Sequence, residues 1–497
     1  MAITSILFRI VSTSGGGALL NSVLRIPWVK VFASDLIINR FAYSTLPRPR
    51  PLSLLADYTS WRSLTDKTYT GRHLPPHDGS LTYPPLKEVV ALWKREGDKE
   101  IPSFDTSMLF SFFAQWFTDS FLRTHLNDRK RNFSNHEIDF CQLYGMNSRQ
   151  TDILRLKQGG KLKFQTIDSE VYPPFLFDPD KTGKDRWVFS DPEFEHLHER
   201  NKLEFIFQKT PIERLRHVFA TGLEHGNSNV GYALLNTIAL REHNRICDEL
   251  AKANPTWADD DERLFQIARN INTVLLLKIV IGDYVKHISS IDFPFTVVPG
   301  MAEKQEWYRA NWISLEFDLL YRWHSMVPEH LLVNGSAYSP DDYRVNSDLL
   351  LTHGVEAMLT SASRQLAGKI GLKNTPGFFF DPMPLKNPVT GEIDERSIQD
   401  RTVQMGRDAH LRSMNDYREA FGLARLSSFE DLTDDKDLQA RLKDLYKDID
   451  NVEWHVGIFA EKHAPGAMLG ELMTTMVAYD AFTHALANPL LSQNVYN

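Results

Sequence analysis

Tyr321, Trp323 and His324 crowd into FDLLYRWHSMVPEHL, residues 317–331, between an apolar run and a proline. A neutral imidazole is a good axial ligand for haem iron. In a helix, residues three apart share roughly one face, which would set Tyr321 one turn from His324. A phenol so placed could give an electron to an oxidised haem and become a tyrosyl radical. Such a radical can take hydrogen from an unactivated carbon, which no closed-shell side chain can do. The packed aromatic end of an ordinary core helix meets the same spacing, and spacing alone favours that plainer reading.

A second stretch carries polar groups where apolar ones are expected. LFSFFAQWFTDSF, residues 109–121, reads as an aromatic helix with Gln115 and Asp119 four apart on one face. Buried polar groups need partners. That face must therefore meet a polar ligand, water or a compensating side chain; a paired aspartate in a core helix would also satisfy it.

The elements that must position these residues read as helices, with few convincing alternating strands. Helical periodicity is clearest over 106–125, 231–252, 262–288, 306–325, 344–370, 398–421 and 436–448. Proline- and glycine-rich breaks at 46–52, 173–185 and 380–392 look like loops within one large helical domain. No internal repeat or low-complexity tract occurs.

Composition narrows the function classes. The 497 residues are 42% hydrophobic and 24% charged, which is ordinary for a globular chain and free of a disorder signature. A net charge of −8 gives no reason to expect a nucleic-acid partner. Only Cys141 and Cys247 occur, so neither a disulfide scaffold nor a CxxC metal site is available. The densest apolar stretch, VLLLKIVIGDYV at 274–285, is broken by Lys278 and Asp283 and reads as a core helix, not a membrane span. The first twenty residues lack the early basic residues of a secretory signal. The segment SVLRIPWVKVFASDLIINRF, 22–41, mixes Trp28 and aliphatic residues with Arg25, Lys30 and Arg40. That mixture suits a membrane interface, and equally a terminal helix folded onto the core.

Nine segments, in one order, resemble the cyclooxygenase branch of the animal-type haem peroxidases. They are ADYTSWRSL (56–64), FFAQWFTDSF (112–121), LRLKQGGKLKFQ (154–165), LREHNRICDEL (240–250), EFDLLYRWHSMVP (316–328), SRQLAGKIG (363–371), NDYREAFGL (415–423), LYKDID (445–450) and GELM (470–473). The resemblance implies a mainly α, single-domain haem peroxidase fold over 46–497, preceded by an amphipathic, membrane-associating segment at 1–45. It implies haem b as cofactor, with His324 as its proximal ligand, Tyr321 as the radical that attacks a bound fatty acid, and Gln115 near the distal oxygen site. Phe117, Phe121, Tyr284, Val285, Phe317, Leu320 and Trp323 fall on positions that line or support the acyl channel.

Departures from the family pattern bear on the chemistry. The distal histidine is replaced by Asp119, which can return a proton only if burial raises its pKa. The channel-mouth tyrosine is replaced by Ile291, the channel serine by Ala481, and a second proximal tyrosine by His455. Arg40 is the best candidate for holding the substrate carboxylate. The absence of an epidermal-growth-factor-like module is expected of a microbial, non-secreted relative, cytoplasmic with peripheral membrane contact; the animal relatives are dimers. The expected activity is single dioxygenation of an unsaturated fatty acid by O2, primed by a hydroperoxide, with weak peroxidase turnover. The rivals are a peroxidase of small reductants and a haem- or lipid-binding relative without turnover.

Overall fold

Helices begin where short polar side chains can take up the first free amides. Asn229 accepts from Tyr232 N, Asp260 from Arg263 N and Ser314 from Phe317 N, while Ser397 and Asp400 form a reciprocal capping box. The computed structural model describes residues 24–44, 53–54, 68–97, 99–125, 128, 130–183, 186–207, 209–288, 293, 295–308, 310–386 and 391–495, with side chains except at 40–44, 53–54 and 386. Residues 1–23, 55–67 with the 56–64 segment, and Ile291 lie outside this set, as does the Arg40 side chain.

The principal elements, in chain order, are α1 (Pro27–Ser44), β1 (Pro102–Ser107), α2 (Met108–Thr118), α3 (Val230–Ala253), α4 (Asp261–Ile279), α5 (Leu315–Leu320), α6 (Asp348–Arg364), β2 (Leu366–Gly368), α7 (Ile398–Asp408), α8 (Met414–Ala420), α9 (Lys436–Tyr446), α10 (Trp454–Ala460) and α11 (Glu471–Leu486). The fold is mainly helical. Among the described residues strands occur only as two-stranded antiparallel pairs, such as β1 with β2 in the register Pro102↔Gly368 and Ser107↔Leu366.

The core forms where α2, α3, α4, α5 and α11 meet. Gly231 on α3 lets α2 approach closely, because a Cβ there would stand 2.1 Å from Phe112 Cγ. Past Ile279, α4 continues through a π-helical turn, Val280–Tyr284, and a last helical turn, Val285–Ile288. The wide turn sits where Tyr284 and Val285 point into the core, a position such bulges often take. The span Asp261–Ile288 is long and apolar enough to cross a membrane by composition, but 56% of its most apolar window is buried within the protein.

Two helix expectations are corrected. The 306–325 segment is α-helical only over Leu315–Leu320. Tyr321 caps that helix at φ −93°, ψ 13°, Trp323 follows at φ −81°, ψ 48°, and His324 opens a separate 3-10 turn, His324–Met326. Tyr321 and His324 therefore do not share a helical face. Leaving the helix lets Trp323, only 6% exposed, bury its ring beside Tyr321 and Phe110, which a continuing helix would not allow because it turns residues two apart to different faces. The 398–421 segment is likewise two helices, α7 and α8, with His410 between them in the left-handed region at φ 53°.

Candidate functional site

Tyr321 sits in an aromatic enclosure. Its ring packs edge-on to Phe317 at 5.2 Å and against Trp323 at 4.7 Å. Phe317 stacks on Phe121 at 5.8 Å, Phe121 meets Phe117 edge-on at 5.1 Å, and Phe117 meets Tyr284 at 5.8 Å. Leu320 and Val285 are buried in the same core, and α11 brings the buried Ala481 to the helix that carries Phe317. Phe317 and Trp323 thus lie on Tyr321 itself, and Phe121, Phe117 and Tyr284 continue from Phe317 as a chain of ring contacts.

The hydroxyls of Tyr321 and Tyr284 are buried without a well-formed hydrogen bond, yet close enough to influence each other's ionisation. Burial pushes both phenols above their ordinary pKa; for Tyr321 the Asp480 carboxylate adds to that push. Both are therefore neutral phenols at any physiological pH.

His324 faces different partners. Its turn is held by Gly371 N donating to Ser325 Oγ at 3.2 Å, and β2 passes so close that a Cβ on Gly368 would meet the Ser325 carbonyl at 2.1 Å. Its Nδ1 lies 2.9 Å from Gln399 Oε1 on α7, and its ring stacks on Phe379 at 4.3 Å. A carbonyl oxygen can only accept, so Nδ1 carries the proton and Nε2 keeps a bare lone pair. Burial, opposed by the Gln399 bond and aided by Arg322, holds the imidazole down at about 4. Such a neutral, oriented imidazole fits an axial metal ligand. His455 lies nearby, stacked on Trp93 at 5.6 Å, with neither ring nitrogen hydrogen-bonded; burial, then His324 and Arg322, push it down to about 3. An unpartnered buried imidazole and the unpartnered Trp323 Nε1 and Arg322 Nε are polar edges that a polar-edged cofactor would suit.

Across α2 the materials change. Gln115, Asp119 and Arg123 recur every four residues along α2 and its extension, and each engages the loop leading into α3. Asn229 Nδ2 donates to Gln115 Oε1 at 2.8 Å, Gln115 Nε2 donates to Ser228 Oγ at 3.3 Å, and Arg123 Nη2 donates to Glu224 Oε1 at 2.8 Å. Asp119 lies between them at the end of α2. It keeps some exposed surface, but burial of its carboxyl dominates and raises it to about 6, against the pull of His225, Arg123 and Arg322. Glu224 behaves oppositely: burial would raise it, but Arg123, His225 and His198 hold it down at about 2. Arg322, which stands beside Tyr321 in sequence, donates to Asp318 Oδ1 at 2.6 Å and acts on Asp119, His324 and His455 alike.

The expected residues thus fall into three groups: Tyr321 with its enclosure, His324 with His455, and Gln115 with Asp119 on one face of α2. Sequence reasoning missed Gln399, His225, Glu224 and Arg123. Nothing in the sequence around Gln399 marks it, since its neighbours read only as a helix start; Arg123 was visible as the next step of the 115–119 spacing. An apolar cavity of about 660 Å³ between α2, α3 and α4, lined by Phe110, Phe113, Leu235, Ile238 and Leu276 among others, shares only Tyr284 with the expected channel residues.

The mainly helical fold, the buried, oriented imidazole and the polar helix face are compatible with a helical haem peroxidase, and the comparison with known families decides the class. Residues 95–485 match the family described as Animal haem peroxidase, and the chain belongs to that family. It falls in the cyclooxygenase-like branch and is an oxidoreductase of that fold. It is 34% identical over 458 residues to prostaglandin G/H synthase 2 of Equus caballus, covering 88% of this chain and 68% of the relative. It is 33% identical over 491 residues to the Mus musculus synthase 2, covering 95% and 73%. Its fold matches peroxidase A of Dictyostelium discoideum at TM-score 0.68 and 20% identity, covering 86% of this chain and 89% of that one. The fatty acid alpha-dioxygenase of Oryza sativa matches at TM-score 0.67 and 17% identity, covering 96% and 91%. Family membership implies a haem group.

Proposed function

We propose that the protein is a haem-dependent fatty-acid dioxygenase in which Tyr321 is the hydrogen-abstracting radical. The observation that carries the reading is the neutral, buried Tyr321 hydroxyl inside an apolar aromatic enclosure, with an oriented imidazole ligand three residues away. Haem b, when bound and oxidised by a hydroperoxide, supplies a one-electron oxidant. His324 would hold its iron through Nε2, with Gln399 fixing the ring. Gln115 would stand near the distal oxygen site, and His455 and Trp323 would border the cofactor.

Tyr321 would give one electron to the oxidant that the haem supplies and its proton, by way of the adjacent Tyr284 hydroxyl, to solvent, and so become a neutral radical. The enclosure of Phe117, Phe121, Tyr284, Val285, Phe317, Leu320 and Ala481 excludes water and holds an unsaturated acyl chain against it. Tyr321 then takes a hydrogen atom from an allylic or bis-allylic carbon and is a phenol again. O2 adds to the carbon radical, and the resulting peroxyl radical recovers a hydrogen atom from Tyr321. The balance is RH + O2 → ROOH, with Tyr321 ready for the next cycle. Ile291 and Arg40 are assigned to the channel mouth and the substrate carboxylate on the resemblance alone.

Entry from a bilayer is supported by α1. Trp28, Phe32 and Leu36, one turn apart, are 72%, 64% and 49% exposed, while Ser34 and Ile38 on the opposite side are buried. An exposed apolar stripe beside Arg25 and Lys30 suits the headgroup boundary.

Oxygen uptake by the haem-loaded protein, on adding linoleate with a trace of hydroperoxide, tests the reading. Uptake with a hydroperoxy acid as product is expected, lost in Tyr321→Phe. A peroxidase of small reductants is the second reading, favoured by the raised pKa of Asp119; it predicts reductant oxidation without linoleate-dependent uptake and without sensitivity to Tyr321→Phe.

A further inference from the structure

The family's distal imidazole is missing from α2, where Asp119 stands in its place. The loop over that face carries an imidazole of its own. Two contacts bracket Asp119 with the loop that carries His225: Gln115 binds Ser228 and Asn229, and Arg123, just past the end of α2, binds Glu224, and His225 is close enough to act on the Asp119 carboxyl. The His225 Nδ1 is 3.7 Å from Glu224 Oε1, the same oxygen that accepts from Arg123. Glu224 is itself buried, so the carboxylate beside His225 is fixed, whereas the His225 side chain is 49% exposed and can exchange protons with solvent.

We propose that His225 and Asp119 together form the distal proton-exchange pair, with His225 supplying the imidazole that α2 lacks. The proposal rests on the haem reading above. Asp119 would face the distal side, with His225, held beside Glu224, as the charge that acts on it most strongly. A protonated small ligand entering the distal side, a hydroperoxide or hydrogen cyanide, gives its proton to Asp119. That proton is shared with the His225 imidazole and can be given back. Burial and Glu224 raise the proton affinity of Asp119, and His225, Arg123 and Arg322 lower it. The Asp119 carboxyl, raised to about 6 chiefly by burial, can take a proton near neutral pH, and the imidazole offers that proton a second site. His198, buried and hydrogen-bonded to the Thr221 carbonyl at 3.0 Å, acts only on Glu224 from behind.

Cyanide binding to the ferric, haem-loaded protein reads this pair without turnover, because hydrogen cyanide must lose its proton to bind as the anion. Stopped-flow association rates between pH 5 and 8 would be compared for the wild type, His225→Gln, Asp119→Asn and the double variant, each checked for an unchanged Soret band. His225→Gln is expected to slow association by roughly tenfold to a hundredfold at neutral pH, at the lower end of what a positioned base contributes, and to flatten the pH profile. The double variant should be no slower than the slower single one, since the two residues act as a unit. His225→Gln with the wild-type rate and profile, alongside a slowed Asp119→Asn, would overturn the proposal and leave the haem reading standing. No Soret band in the wild type after haem addition would defeat the haem reading, and this proposal with it, before any variant is compared.

Discussion

The neighbourhoods of Tyr321 and Asp119 are made of opposite materials. Around Tyr321 the partners are rings, Phe317, Phe121, Phe117, Trp323 and Tyr284, and the phenol is left without a firm hydrogen bond. Around Asp119 they are charges, His225, Arg123, Arg322 and Glu224. A phenol among rings is held neutral by burial, so it is suited to moving hydrogen atoms. A carboxyl among charges has its proton affinity set by its neighbours, so it is suited to moving protons. On the proposed reading, one chain would separate radical chemistry from proton chemistry by the composition of two faces.

The sharpest way to break that division is at the group both faces depend on. His324→Ala is expected to abolish the Soret band of the haem-loaded protein, read by absorbance titration with haem; full-strength binding in the variant would remove the proposed ligand. Next, truncating the aromatic enclosure should cost stability. Phe317→Ala, at a 1% exposed position, is expected to lose about 3–5 kcal/mol in denaturant unfolding and oxygen uptake with it. Neutralising the charged face should do the reverse. The Asp119 carboxyl is raised in the folded protein from an ordinary 3.8 to about 6, so its charge disfavours the fold above about pH 6, and that penalty disappears below about pH 4. Asp119→Asn should therefore raise Tm at pH 7–8, with the gain shrinking as pH falls from 6 to 4. A gain that grows on acidification would refute the assignment. The smallest effect is expected at α1: Trp28→Ser should reduce cosedimentation with anionic vesicles by a few fold while leaving stability unchanged.

Much of the fold was legible, because it rests on periodicity. The 231–252 and 436–448 segments emerge as α3 and α9 within a residue or two. Gln115 and Asp119 emerge on one helix because four-residue spacing is a local property. The 306–325 helix fails for the reason local patterns fail: burial of Trp323 and the docking of His324 against Gln399 and Phe379 are tertiary demands that end the helix at Leu320. Gln399, 75 residues from His324, and His225, about a hundred from Asp119, become neighbours only on folding. A sequence can show that Asp119 needs a partner; only the folded loop shows which one it meets.

The central claim is that Tyr321 becomes the working radical. Freeze-quench electron paramagnetic resonance of the haem-loaded protein, mixed with a hydroperoxide, measures it directly. The account predicts a tyrosyl signal that narrows when ring-deuterated tyrosine is incorporated and whose decay on adding linoleate is lost in Tyr321→Phe. A linoleate-quenched signal that persists unchanged in Tyr321→Phe would contradict it.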